Sequence, residues 1–111
     1  MFSVAWGLYD GSGGEIHVIE GDRFVFGSGI GTVRVDLPGL SREALVIRAT
    51  PGGPLLFRGQ RENGAFVVLV GNQGGLKWVP EGRAIPITQD ANRIELRLAE
   101  ETIFAAEVTL D

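Results

Sequence analysis

The 111-residue chain contains no cysteine, and this excludes both a disulfide framework and a thiolate metal site. It has one histidine, His17, so a His-rich metal centre cannot form and a Ser-His-Asp triad would have to use that residue. Lysine is almost absent: nine of the ten basic residues are arginine, the exception being Lys77. With 14 acidic residues against these, the net charge is −4, a poor electrostatic footprint for a nucleic-acid backbone. No apolar run approaches the roughly 20 residues that cross a bilayer, so no membrane insertion is expected. The segment Met1 to Gly7 lacks the basic start and apolar stretch of a secretory leader, and the expected location is cytoplasmic.

What the chain does have is glycine, 17 of them, with five prolines among many Val, Ile, Leu and Phe. That mixture describes short strands joined by tight turns. Eleven runs read as strands: Phe2–Leu8, Glu15–Ile19, Arg23–Phe26, Thr32–Asp36, Leu45–Ala49, Pro54–Phe57, Ala65–Val70, Leu76–Val79, Ala84–Ile87, Arg93–Leu98 and Ile103–Leu110. Turn chemistry separates them, as in Asp10 to Gly14, Pro38-Gly39, Asn63-Gly64 and Asp90 to Asn92. Val33, Val35 and Leu37 alternate with Arg34 and Asp36, and Ile94, Leu96 and Leu98 alternate with Arg93, Glu95 and Arg97. Such strands have one wet and one buried face. The expected architecture is a single all-β domain over 1–111, an antiparallel sandwich of about eleven short strands. Its core is expected to include Val33, Val35, Ile47, Phe57, Phe66, Val68, Ile94 and Leu96.

Few constellations suggest chemistry. Gly27-Ser28-Gly29-Ile30-Gly31-Thr32 has the look of a phosphate-cradling loop, but its last position is Thr32 and a strand follows, not a helix. It reads as a flexible hairpin loop. Glu100-Glu101 are neighbours on opposite faces of an extended chain and read as a solvated turn. His17, opposite Ile16 and Val18, reads as an exposed or structural histidine. Trp6 reads as core, whereas Trp78 and Tyr9 are open to a sugar-stacking role. No nucleophile–base pair is legible, so the chain reads as a non-enzyme with no cofactor.

An ordered series runs through most of the chain: Gly27, then Leu37-Pro38-Gly39-Leu40-Ser41-Arg42, then Asn63-Gly64-Ala65-Phe66-Val67, then Pro80 to Ile87. It resembles the forkhead-associated (FHA) family, an eleven-stranded β-sandwich of the SMAD/FHA type that binds phosphothreonine peptides through loops at one end. The family pattern is a strand ending in Gly-Arg, then Ser-Arg-x-His, then Asn-Gly-Thr, then a Gly-Asp turn. Ser41, Arg42, Asn63 and Gly64 match it. The arginine that contacts phosphate in the family is Ser28, the histidine that braces the loops is Ala44, and the threonine is Ala65. The resemblance implies a protein-interaction module that binds a protein or peptide partner, with Ser28, Ser41, Arg42, Arg61, Asn63 and Gly64 as the binding residues and a degenerate phosphopeptide site. Two rivals stand beside it. A working phosphothreonine reader would bring Arg42 or Arg61 beside Ser41 and Asn63 in a concave basic patch. A carbohydrate-binding sandwich would lay Trp78 or Tyr9 flat on the surface.

Overall fold

The computed structural model describes residues 2–8, 16–59, 66–72, 74–80 and 82–110. Eleven strands form among them: β1 (Phe2–Leu8), β2 (His17–Gly21), β3 (Arg23–Gly27), β4 (Val33–Arg34), β5 (Leu45–Thr50), β6 (Gly53–Arg58), β7 (Phe66–Asn72), β8 (Gly75–Trp78), β9 (Ala84–Pro86), β10 (Arg93–Leu98) and β11 (Glu101–Leu110). They make two sheets, β2-β1-β11-β10-β7-β8 and β4-β3-β5-β6-β9. Every pairing is antiparallel except the two-residue contact of β4 with β3. The Gly27–Thr32 segment is therefore a crossover between parallel neighbours and not the hairpin loop expected from its composition.

Between the sheets lies a mainly aliphatic core that holds a cluster of aromatic rings. Phe104 stacks on Phe26 with ring centroids 4.2 Å apart and is flanked by Phe24 at 6.2 Å and Trp6 at 6.3 Å. Val33, Ile47, Phe66, Val68, Ile94 and Leu96 are buried as expected, and Val35 packs against this core half-buried. Phe57 does not belong to it. The register of β6 on β5 turns Leu56 and Arg58 inward, so Phe57 faces outward, where the Arg48 guanidinium lies 5.8 Å from its ring. The apolar run of β7 is explained by its place between β10 and β8: Phe66, Val68 and Val70 are buried while Val67 and Leu69 are half-covered on the outer face.

Among the described residues, every buried side-chain polar atom has a hydrogen-bond partner. Glu95 lies on the outer face of the six-stranded sheet, its side chain 9% exposed, and it accepts hydrogen bonds from Arg93 (3.1 Å), Arg97 (2.9 Å) and Thr102 (3.1 Å). Burial alone would raise its carboxyl pKa, but these donors outweigh burial and hold it below the usual carboxylate range. A bulge in β11 opposite Leu96 and Arg97 shifts the register so that Thr102, and not Ile103, stands across from Arg97. After β10 the chain turns through Ala99 and Glu100, both with positive φ, and both Glu100 and Glu101 are exposed.

Candidate functional site

The site end of the sandwich is built around residues 40–44. Glycines press on this segment from two strand ends. A Cβ on Gly27 would stand 2.1 Å from the Arg42 carbonyl oxygen, and one on Gly59 would stand 2.1 Å from that of Glu43. Only a residue without a side chain allows so close an approach. Main-chain hydrogen bonds fill the gap: Ser28 N donates to Ser41 O (3.0 Å), Gly29 N to Arg42 O (3.1 Å) and Gly59 N to Ala44 O (3.0 Å). Ala44 is buried, and the bond from Gly59 fastens its carbonyl at the position where the family pattern has histidine.

Ser28 adds its side chain to this staple, the hydroxyl donating to Leu40 O at 2.8 Å. Both its donors are thus committed within the fold. Arg42 is exposed and lines an open depression of about 510 Å³ with Ser28, Gly29, Ile30 and Arg34. Ser41 is half-buried behind it and contributes its carbonyl to Ser28. Three of the expected site residues, Arg61, Asn63 and Gly64, lie outside the described residues, as does Tyr9. The residues on either side of that segment, Gly59 and Phe66, sit at the same end as residues 41–44.

Arg34 is the residue that reading the sequence missed. Its position outward on β4 was legible from the alternation, but its place in the same depression as Arg42 was not, because seven residues of irregular chain lie between the two. Its side chain is 62% exposed, with Nε 3.7 Å from a carboxylate oxygen of Asp36, whose side chain is also exposed. Such a pair contributes little and yields readily to a stronger anion. Two arginines in one depression form a cationic surface suited to carboxylate or phosphate oxygens.

Arg58, a second missed residue, is 4% exposed and closes the same end from within. Its guanidinium donates to Val79 O and, at 2.9 Å, to Phe66 O. Its main chain exchanges bonds with Arg83 O and Gly82 N. The side chain ties β6 to the start of β7 and to Val79 just past β8, and the main chain ties it to the turn before β9. Elsewhere, His17 stacks on Trp6 with centroids 4.6 Å apart, and Trp78 is 54% exposed on the edge strand β8, away from this depression. Among the described residues no cluster of His, Asp or Glu suits a metal ion, and no helix is long and apolar enough to cross a membrane.

A sandwich of eleven strands in this order, in two sheets, has the fold of an FHA domain. The chain is similar over nearly its whole length to solved structures of that class. One is Mycobacterium tuberculosis Rv1747 FHA-1 (TM-score 0.59, 22% identity, 97% of each chain covered). Another is the Rv0020c FHA domain (TM-score 0.56, 24% identity, 100% of this chain and 95% of that one). A third is the FhaA FHA domain, solved in complex with the intracellular domain of Rv3910 (TM-score 0.53, 23% identity, 95% and 98%). No family model and no curated protein matches the sequence.

Proposed function

We propose that this chain is a non-enzymatic protein-interaction module that takes an acidic peptide segment of a partner at the loop end, with phosphate dispensable. The observation that carries this reading is the role of Ser28. At the position of the family's phosphate-contacting arginine it carries no charge, and its hydroxyl and amide are both spent on Leu40 O and Ser41 O. A charged donor there would supply bonds of about 1.5–3 kcal/mol each. Arg34 and Arg42 supply the remaining cationic character, and they serve a carboxylate as well as a phosphate.

A second reading is favoured by the same pair. If Arg34 and Arg42 close together on one anion they replace the absent fork, and the site is a working phosphothreonine reader. Calorimetric titration separates the two, using a degenerate phosphothreonine peptide library, its unphosphorylated twin, and a version with glutamate in place of phosphothreonine. Affinities of the phosphorylated and glutamate libraries within about tenfold of each other support phosphate-independent binding, since a lost arginine fork is worth at least that factor. Low-micromolar binding confined to the phosphorylated library, and abolished in Arg34→Gln or Arg42→Gln, overturns it in favour of the second reading.

A further inference from the structure

The segment Gly27 to Thr32 places a glycine at every second position, and each glycine lies against the body of the protein. Gly27 abuts the Arg42 carbonyl, a Cβ on Gly29 would come within 2.9 Å of the Arg42 Cβ, and one on Gly31 within 2.8 Å of Val25 Cγ1. The residues between them are stapled as well. Ser28 is held to Leu40 and Ser41, and Thr32 Oγ1 accepts a hydrogen bond from Val25 N at 3.0 Å. Far from the flexible loop its glycine content suggests, this is a pinned crossover. One side chain on it has no contact with the body to keep it: Ile30 is 96% exposed, the most exposed large apolar residue described.

Single exposed apolar residues are ordinary. Ile30 differs in being held on a fixed scaffold between two depressions. On one side are Arg34 and Arg42, and on the other are Val25, Thr32 and the Arg23–Glu43 pair. A side chain displayed on an ordered backbone loses little further freedom on binding, and so contributes most of its burial to affinity. The cations beside it fix the charge of what binds there. We infer that Ile30 is the apolar contact of this interaction surface and that the partner is an extended segment carrying an aliphatic side chain close to its acidic group. The inference rests on the acidic-peptide reading above.

Peptide arrays with a fixed centre of glutamate, phosphothreonine or alanine and degenerate flanks test both separately. The wild-type chain is expected to prefer the acidic centres and to enrich Ile, Leu or Val at one constant offset. Ile30→Asn is expected to lower that aliphatic enrichment by about tenfold, the worth of burying most of one aliphatic side chain, while keeping the acidic preference. Ile30→Leu is expected to restore it, and an unchanged melting temperature checks the fold. Arg34→Gln with Arg42→Gln is expected to do the reverse. Aliphatic enrichment that is absent in the wild type, or unaltered in Ile30→Asn, overturns the role of Ile30 alone. Indifference of the wild type to the acidic centres overturns the acidic-peptide reading, and the role of Ile30 falls with it.

Discussion

Replacing Gly27 by alanine tests the architecture of the site end through a single methyl group. The new Cβ would lie 2.1 Å from the Arg42 carbonyl oxygen, 2.6 Å from its carbonyl carbon and 2.8 Å from the Ser41 carbonyl oxygen. Ordinary contact begins near 3.4 Å, so β3 and the 41–42 backbone must separate by about 1.3 Å. No flexible side-chain end is there to swing away, because the obstacles are main chain. That displacement stretches three hydrogen bonds beyond useful length: Ser28 N to Ser41 O, Gly29 N to Arg42 O and Ser28 Oγ to Leu40 O. At about 0.5–1.5 kcal/mol each, the loss comes to roughly 2–4 kcal/mol. For a chain of this length the melting temperature should fall by about 8–15 °C. Urea denaturation followed by tryptophan fluorescence measures the change. Gly52→Ala is the matched control, since a Cβ there meets nothing within 4 Å, and it should be neutral or slightly stabilising. A Gly27→Ala protein within about 0.5 kcal/mol of wild type would refute the close packing of β3 on the 41–44 segment.

Two further outcomes bear on the sheets. Phe104→Ala removes the ring at the centre of the aromatic cluster and should cost about 3–5 kcal/mol in the same denaturation assay. Glu95→Gln should cost about 1–2 kcal/mol at neutral pH, the two arginines being partly exposed. Because the Glu95 pKa is lowered in the folded state, its contribution is present above the unfolded value of about 4.3 and disappears as pH falls through the folded one. The stability gap between wild type and variant should therefore narrow from pH 6 to about pH 3; a gap that stays constant would contradict the charge assignment.

The strands were legible because each carries its own signal: β-branched runs, period-two alternation and turn residues at nearly every junction. All eleven fall within a few residues of where the sequence places them. What escaped depends on register. Phe57 and Leu56 are both apolar, and only the pairing of β6 with β5 decides which turns inward. Arg58 resembles any surface arginine until the carbonyls of Val79 and Phe66 converge on it. The role of Gly27, Gly29 and Gly31 was misread for a similar reason. Composition reports conformational freedom, whereas here glycine marks positions where the backbone of a distant segment comes too close for a side chain. Arg34 and Arg42 share a depression because β4 pairs in parallel with β3, a connection that local pattern does not reveal.

The pairing of the first and last strands has a topological consequence. Phe2 stands opposite Leu110 in the ladder and, on its other side, opposite Gly21, the last residue of β2, two residues before β3 begins. The depression bearing Arg34 and Arg42 lies beyond the other end of β3, past Gly27. Strand partners of this kind sit only about 5 Å apart, close enough for a short hairpin to close the chain into a ring. Such a ring, reopened between the exposed Pro51 and Gly52, would keep every strand neighbour while changing which contacts are local in sequence. The same geometry lets a surface tether or a fusion partner be attached beside Phe2 or Leu110 with the Arg34–Arg42 depression pointing away from it.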